Sequence, residues 1–214
     1  MIFWVLFFGL LSPDFVQAEP RLTLVYSNDV YGEVEPCGCR NNPLGGLIRR
    51  SEFVRALAQE SNLIQVDSGD LLFSTTPVPP ALAEQSELQA SYVVRAMNED
   101  GLDAAVPGER DFGLGVGVFE RLKVKAKYSY LGANITWKSS RGKIGTLKPS
   151  IVIERAGKRV CLIGLVGKDL SWPTEVKVSS PIEAARTEVA KLKARPANQS
   201  CDWIVALSHQ GGDL

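Results

Sequence analysis

Acidic side chains and the single histidine of the chain directly follow short apolar runs of the kind that forms strands. Asp29, Asp70 and Glu109 follow three of these runs, and His209 follows another. Carboxylate oxygens and imidazole nitrogens are common protein ligands for divalent cations. Because the loops beyond the carboxyl ends of parallel strands gather at one edge of a sheet, we expect these four side chains to converge. The pattern therefore predicts a metal site formed by Asp29, Asp70, Glu109 and His209.

Each of these residues also has a purely structural interpretation. Carboxylates at strand ends often cap helices or turns, which applies to Asp29, Asp67 and Asp70. A lone histidine such as His209 is often an ordinary, partly buried side chain. The convergence of several loops, rather than any single loop, favours the metal-site interpretation.

The elements that must position these loops alternate along the chain. Predicted strands cover residues 22–26, 63–66, 104–106, 151–153, 160–166 and 203–207. Predicted helices cover residues 46–60, 84–100 and 181–194. Their expected buried faces carry, in order, Leu47, Val54 and Leu57; Leu88, Tyr92 and Met97; and Ile182, Ala185, Val189 and Leu192. This alternation predicts an α/β fold with a largely parallel sheet covered on both faces, and residues 137–148 predict a hairpin or surface loop.

Five segments, in this order, resemble motifs of the calcineurin-like metallophosphoesterases, and of their secreted 5'-nucleotidase and nucleotide-sugar hydrolase branch in particular. They are Asp29-Val30-Tyr31, Gly69-Asp70, Gly108-Glu109-Arg110-Asp111-Phe112-Gly113, Leu131-Gly132-Ala133-Asn134-Ile135 and Leu207-Ser208-His209-Gln210-Gly211. The resemblance covers roughly residues 21–214. It implies a layered sandwich of largely parallel or mixed sheets flanked by helices, in one domain over residues 19–214. That domain is expected to be incomplete at its C-terminus, because the family's later G-H-x-H pair has no counterpart before Leu214.

The chemistry of this family assigns roles to the matching positions. Two divalent cations share a bridging carboxylate, polarise a phosphoester and generate a hydroxide nucleophile. The resemblance implies that Asp70 is the bridging ligand, that Asp29 binds the first metal and that His209 binds the second. It places Arg110 and Asp111 at catalytic positions, where Asp111 matches the carboxylate that orients the family's catalytic histidine. The implied cofactor is one or two divalent ions from among Mn²⁺, Mg²⁺, Zn²⁺ and Ca²⁺, and the implied partner is a nucleotide or another small phosphate ester.

Three positions depart from the family's pattern. Tyr31 stands where a histidine ligand belongs, Glu109 where an asparagine belongs and Arg110 where the catalytic histidine belongs. A phenol with an ordinary pKa of about 10 is a poor ligand, so we expect Tyr31 to be an aromatic side chain of the core or rim. Arg110 cannot act as a general acid; we expect it to pair with Glu109 or Asp111, although it could hold a phosphate oxygen. With one histidine in the chain, the site suits one hard ion better than a pair of zinc or iron ions.

Two functions therefore stay open. The first is an exported, metal-dependent phosphoester hydrolase of the 5'-nucleotidase type that acts on nucleotides or related phosphate esters. The second is a catalytically inactive, metallophosphoesterase-like binding module or fragment. The substituted positions and the missing C-terminal ligands motivate this alternative.

The N-terminal residues predict export. An apolar run over residues 2–11 precedes Ser12-Pro13 and small residues that end at Ala18, so residues 1–18 are expected to be a cleaved signal peptide of a secreted or periplasmic protein. The run is about half of the roughly 20 residues that a membrane-spanning helix needs, so no stable membrane span is expected. Lys+Arg and Asp+Glu both number 24, and this balance gives no support for binding nucleic acid.

The four cysteines, Cys37, Cys39, Cys161 and Cys201, allow three pairings, and the sequence does not choose among them. We expect Cys161 and Cys201 to be small buried side chains or one structural bridge. Cys37-Gly38-Cys39 is compatible with a strained disulfide, half of a metal site or two free thiols.

Overall fold

A computed structural model describes residues 21–36, 38, 45–139 and 141–211 of the chain. The expected signal peptide, residues 1–18, lies outside these residues, and so do Cys37 and Cys39, for which three alternatives were open. The strands are β1 (Leu22–Ser27), β2 (Asn62–Asp67), β3 (Ala104–Ala105), β4 (Ser129–Tyr130), β5 (Ile135–Lys138), β6 (Ile144–Thr146), β7 (Ser150–Arg155), β8 (Lys158–Val166), β9 (Val176–Val178) and β10 (Trp203–His209). The helices are α1 (Leu47–Glu60), α2 (Ala83–Asp100), α3 (Val116–Lys125) and α4 (Pro181–Lys193).

The strands form three small sheets. The first has the order β1-β2-β3-β4 and is parallel throughout. In the second, with the order β10-β8-β7, β10 runs parallel to β8 and β7 runs antiparallel to it. The third, β6-β5-β9, is antiparallel, and its β5–β6 pair is the hairpin expected within residues 137–148. The predicted α/β class with parallel or mixed sheets is confirmed, although the strands do not form one parallel sheet.

The core lies between the first sheet and the elements that pack on it. Five consecutive residues of β2, from Leu63 to Asp67, are buried, as expected of a strand that is covered on both faces. Three of them are apolar, and Gln65 and Asp67 are buried polar residues. An aromatic group adjoins it, with Phe112 and Phe119 ring centroids 4.4 Å apart and Trp137 5.6 Å from Phe119. Because Phe119 is fully buried, truncating it to alanine is expected to cost about 3–5 kcal/mol of stability.

The predicted helices are all present, but two of their buried faces differ from the expected ones. In α2, Leu88 is 58% exposed and Tyr92 is 54% exposed, and the buried residues are Ala90, Val93, Val94, Met97 and Asp100. In α4, Ile182 is 62% exposed, whereas Leu192 is buried as expected. In α2, Leu88 and Tyr92 lie on one apolar stripe, and the mostly smaller Ala90, Val93, Val94 and Met97 form another. Close packing on the sheet selects the stripe of smaller side chains in α2.

A disulfide joins Cys161 of β8 to Cys201, which lies just before β10. Their Cα atoms are 5.8 Å apart, and 40 positions separate them in the chain. The bridge therefore fixes the edge strand β10 to its neighbour and sets the pairing in which Ile204 lies opposite Cys161. The sequence left small buried side chains or one structural bridge as alternatives for these two cysteines, and the structure has the bridge.

Within the described part of the chain, none of the helices combines the length and the apolar character that crossing a bilayer requires.

Candidate metal centre

Three of the four predicted ligands meet at one point. Nε2 of His209 lies 3.0 Å from Oε2 of Glu109 and 3.6 Å from Oδ1 of Asp70. One ligand atom from each of the three residues lies within 4.8 Å of the other two. The loops after β2 and β3 in the first sheet and the end of β10 in the second sheet supply them. The expected convergence of strand-end loops is therefore present for Asp70, Glu109 and His209.

Backbone hydrogen bonds hold Asp70 in place. Its φ is 56°, a left-handed conformation that side chains other than glycine seldom adopt, and its carboxylate is buried. Its carbonyl oxygen accepts from the backbone N–H of Tyr31 at 2.9 Å, and its Oδ1 accepts from the backbone N–H of Arg110 at 2.9 Å. The loops after β1 and β3 thus fix the carboxylate between them. Burial raises the pKa of Asp70 to about 6, against the opposing effects of the Arg110 N–H and of the positive charges of His209 and Arg110.

The last residue of β2, Asp67, is a second buried carboxylate. Its Oδ2 accepts from the Ser27 hydroxyl at 2.7 Å and its Oδ1 from the backbone N–H of Gly69 at 3.0 Å. Burial raises the pKa of Asp67 to about 7, although both hydrogen bonds oppose this effect. Asp67 therefore braces the turn that presents Asp70.

Asp111 supports the loop after β3 in a similar way. Its two oxygens accept from the backbone N–H groups of Leu72 and Gly108, each at 2.7 Å. Its side chain is fully buried, and burial raises its pKa to about 8. The 3₁₀ helix Glu109–Phe112 begins directly after Gly108 and carries Glu109 to the centre. The carboxylate of Asp111 is therefore held by hydrogen bonds to the backbone and does not belong to the group formed by Asp70, Glu109 and His209.

His209 is oriented by a hydrogen bond on its far side. Nδ1 lies 2.9 Å from the carbonyl oxygen of Ser68, which can only accept, so Nδ1 carries a proton and Nε2 faces Asp70 and Glu109. Burial lowers the pKa of His209, but the hydrogen bond to Glu109 and the charges of Asp70 and Glu109 outweigh it and raise the pKa to about 9. The same hydrogen bond lowers the pKa of Glu109.

Two glycines allow this close approach. A Cβ added to Gly108 would lie 2.0 Å from Oδ1 of Asp70 and 2.7 Å from Nε2 of His209. A Cβ added to Gly69, whose φ is +110°, would lie 2.6 Å from Nδ1 of His209. Any larger residue at either position would displace the ligand atoms.

Asp29 adjoins the centre without joining the ligand cluster. Its backbone N–H donates to the carbonyl oxygen of Gly69 at 2.9 Å, so the loop after β1 contacts the loop after β2. Its carboxylate is exposed, accepts a hydrogen bond from the Asn28 side chain and lies outside the group formed by Asp70, Glu109 and His209.

Tyr31 and Arg110 form a stack at the rim of the centre. The Arg110 guanidinium lies 4.3 Å from the centroid of the Tyr31 ring, and its Nε lies 3.2 Å from Oδ2 of Asp70. The expectation that Arg110 pairs with Glu109 or Asp111 is wrong. Its side chain lies over Tyr31 of the loop after β1 and forms an ion pair with Asp70. Burial and the nearby Asp29 raise the pKa of the half-buried Tyr31, which keeps the phenol protonated, as expected of an aromatic side chain at the rim.

The donor set fits one divalent ion. It combines two carboxylate oxygens and one imidazole nitrogen, with Nε2 of His209 at 3.0 and 3.6 Å from the two oxygens. Ligands on an octahedral ion with bonds of about 2.1 Å lie roughly 3 Å apart, so small adjustments would suffice. The hydrogen bond from Nδ1 to a backbone carbonyl is the outer-shell contact that fixes a metal-binding histidine.

Known proteins are similar to this chain in sequence and in fold. UshA of Salmonella pullorum is 26% identical over 199 residues, and a 5'-nucleotidase of Diplobatis ommata is 26% identical over 204 residues. The matches cover 89% of this chain, 34% of UshA and 33% of the 5'-nucleotidase. The structure of a 5'-nucleotidase precursor from Thermus thermophilus superimposes with a TM-score of 0.73 and 28% identity, covering 89% of this chain and 37% of that protein.

The resemblance to the 5'-nucleotidase branch of the calcineurin-like metallophosphoesterases is confirmed. No protein-family model matches the chain. The NAD nucleotidase of Haemophilus influenzae, which is 21% identical, shares the fold with a TM-score of 0.71. This metallophosphoesterase-like chain spans about a third of the length of the curated relatives that it matches.

Residue types alone do not point to several groups that shape this metallophosphoesterase-like centre. The carbonyl of Ser68, which orients His209, is one of them. Asp67 braces the turn before Asp70, which is the turn-capping role that the sequence allowed for it. A cue exists for the glycines, since Gly69 directly precedes Asp70 and Gly108 directly precedes Glu109. Glycine beside a candidate ligand at a strand end indicates close approach of other groups to the backbone.

Proposed function

We propose that the chain is the metal-binding part of an exported phosphoester hydrolase of the 5'-nucleotidase type. In this proposal Asp70, Glu109 and His209 hold a divalent ion, Asp29 adjoins it, and a nucleotide or a related phosphate ester is the substrate. The observation that carries the proposal is the meeting of Asp70, Glu109 and His209 in a fold similar to that of 5'-nucleotidases. Mn²⁺ and Mg²⁺ fit this oxygen-rich donor set best.

The surroundings of the centre suit a phosphate group. A bound divalent ion supplies Lewis-acid polarisation of a phosphoryl oxygen. Arg110 keeps its positive charge at any ordinary pH, and its side chain is 34% exposed beside the centre. It can therefore attract a phosphate dianion to the carboxylates, which alone would repel it. Asp67 and Asp111 fix the positions of the loops after β2 and β3 through hydrogen bonds to backbone N–H groups.

The proposal includes export to an oxidising compartment. The apolar N-terminal run and Ala18 support a cleaved signal peptide, and the Cys161–Cys201 bridge fits such a compartment. N-terminal sequencing of the mature protein is the test, with residue 19 expected at the terminus. Met1 or Ile2 at the mature terminus would contradict export.

Activity is tested with purified mature protein, Mn²⁺ or Mg²⁺, a 5'-nucleotide and p-nitrophenyl phosphate. We expect phosphate release that depends on the metal and falls by at least about 100-fold in Asp70→Asn, because that change weakens a central ligand. Glu87→Gln, which alters a partly exposed carboxylate paired with Arg121, is the matched control and is expected to retain activity. If Asp70→Asn released phosphate at the same rate as the unmodified chain, the assignment of Asp70 as a metal ligand would be contradicted.

One observation favours a second candidate, the inactive binding module. Arg110 occupies the position at which the resembling family has its catalytic histidine, and an arginine cannot donate a proton to a leaving group. Loss of general acid help costs on the order of 10²- to 10⁴-fold in rate. Stoichiometric Mn²⁺ binding without phosphate release, even from p-nitrophenyl phosphate, whose leaving group needs no proton, would favour this candidate.

A further inference from the structure

The two oxygens of Asp70 have different partners. Oδ1 faces Nε2 of His209 at 3.6 Å and accepts the backbone N–H of Arg110 at 2.9 Å. Oδ2 lies 3.2 Å from Nε of the Arg110 side chain. Oδ1 therefore points into the centre formed by Asp70, Glu109 and His209. Oδ2 is paired with the positively charged guanidinium of Arg110.

Several contacts hold the Arg110 guanidinium at this oxygen. Its Nη1 donates to the carbonyl oxygen of Ser74 at 2.6 Å, and its plane lies over the Tyr31 ring, 4.3 Å from the centroid. A cation above an aromatic face is stabilised by the ring quadrupole. The side chain is thus anchored by an anion, a carbonyl dipole and an aromatic face at the same time.

A second metal ion on the Arg110 side of Asp70 would have to displace these contacts. It would take over Oδ2 of Asp70 and would lie beside a guanidinium of the same charge sign, which is strongly unfavourable in a partly buried site. The loop after β1 offers little to offset this cost, since the Asp29 carboxylate is exposed and accepts a hydrogen bond from the Asn28 side chain, and the Tyr31 ring is stacked on Arg110. The residues of this chain therefore fit one ion and do not fit a pair.

We propose that the guanidinium of Arg110 takes the place of a second cation at Asp70, so that the centre holds one divalent ion and one fixed arginine charge. This inference rests on the proposed function only in taking Asp70, Glu109 and His209 to bind a metal. Arg110 is then a positioning residue that neutralises Asp70 and limits the centre to a single metal.

The test is Mn²⁺ binding by the mature chain, measured as metal content per chain and by electron paramagnetic resonance. We expect one Mn²⁺ per chain with the spectrum of an isolated ion. About two ions per chain with an exchange-coupled spectrum would overturn this inference and leave the proposed function standing. Absence of Mn²⁺ binding would overturn both.

The variants Arg110→Met and Arg110→Lys separate charge from shape. Arg110→Met removes the charge and keeps the backbone N–H that holds Oδ1, so Mn²⁺ should bind at least about tenfold more tightly because the repulsion is gone. Arg110→Lys keeps the charge and should remain within a few-fold of the unmodified chain. Arg121→Met, which removes an exposed arginine paired with Glu87, is the control and should leave Mn²⁺ affinity unchanged. Equal Mn²⁺ affinity in Arg110→Met and the unmodified chain would overturn the inference.

Discussion

Nε2 of His209 lies 3.0 Å from Oε2 of Glu109, although 100 positions separate the two residues in the chain. Glu109 follows β3 of the first sheet, whereas His209 ends β10 of the second. The contact therefore joins two sheets at the edge where their strands end. Against the lowering effect of burial, the hydrogen bond to Glu109 and the charges of Asp70 and Glu109 raise the pKa of His209 to about 9, so in the metal-free chain at neutral pH a protonated imidazole supplies the positive charge between the two carboxylates.

Replacing Glu109 by glutamine should weaken the metal centre without unfolding it. The change keeps the size of the side chain and removes one anionic ligand, so Mn²⁺ affinity should fall by at least the roughly 10- to 100-fold that loss of a single outer-shell contact costs. Isothermal titration calorimetry measures this directly. Glu84→Gln changes an exposed carboxylate at the start of α2 and should bind Mn²⁺ normally. Equal affinity in both variants would remove Glu109 from the ligand set.

Metal affinity should rise with pH. Nε2 of His209 must lose its proton to bind a metal, and its pKa in the metal-free chain is about 9. Mn²⁺ affinity should therefore increase about tenfold per pH unit between about 7 and 9, and more steeply below about 6, where Asp70 also takes up a proton. Calorimetry at pH 7.5 in buffers of different ionisation enthalpy should detect close to one proton released per Mn²⁺ bound.

The variant Glu109→Gln also provides the control for this pH dependence. Without the hydrogen bond to a carboxylate, the pKa of His209 should fall, and Mn²⁺ binding at pH 7.5 should release less than one proton. An affinity that stays constant between pH 7 and 9 would show that His209 is not a ligand.

Most of the fold follows from local pattern, because buried strands and amphipathic helices leave a clear period in the sequence. The helix α3 escapes prediction, since Gly113, Gly115 and Gly117 obscure a buried stripe of Val116, Phe119 and Leu122. Leu88 and Tyr92 of α2, which the sequence pattern placed on the buried face, are exposed and show a second limit of prediction from periodicity. Periodicity finds an apolar stripe but does not decide which of two stripes faces the sheet, because packing of distant elements makes that choice.

The candidate centre was partly accessible to the same reasoning. Strand-end position correctly groups Asp70, Glu109 and His209, because parallel strands bring their carboxyl ends to one edge. It does not reveal that the Asp29 carboxylate lies outside the cluster, since side-chain direction depends on the left-handed turn at this residue, whose φ is 54°. The partner of Arg110 is missed for a related reason: a long side chain reaches beyond its sequence neighbours to Asp70.

The buried carboxyl of Asp67 should make the stability of the metal-free chain fall as pH rises. Its pKa is about 7 in the folded chain and close to the ordinary 3.8 when unfolded, so the folded state binds the proton more tightly. Its contribution is complete below about pH 4 and is lost as pH rises through 7, at up to about 1.4 kcal/mol per pH unit. In Asp67→Asn the free energy of unfolding should lose this slope relative to the unmodified chain. Urea titrations from pH 4.5 to 6.5 measure it, with the exposed Asp169→Asn as control.

Loss of the Cys161–Cys201 bridge should destabilise the second sheet. The bridge closes a loop with a sequence separation of 40, for which chain entropy predicts a stabilisation of about 4 kcal/mol. The double variant Cys161→Ala with Cys201→Ala should therefore unfold at a lower urea concentration than the oxidised chain. Adding a reductant should shift the unmodified chain toward the double variant and should leave the double variant itself unchanged. Identical unfolding of the oxidised and reduced chains would contradict a bridge at these positions.

Gly108→Ala should abolish metal binding through a single methyl group. The added Cβ would lie 2.0 Å from Oδ1 of Asp70 and 2.7 Å from Nε2 of His209, so both ligand atoms would have to move apart. We expect Mn²⁺ affinity to fall by at least about 100-fold, because displacement of ligand atoms affects the ion more than loss of an outer-shell contact does. Gly117→Ala is the matched control: it lies in α3, its nearest neighbouring atom is 4.0 Å from the new Cβ, and it should stabilise the helix by about 0.5–1 kcal/mol. If both variants bind Mn²⁺ as the unmodified chain does, the ion is held elsewhere.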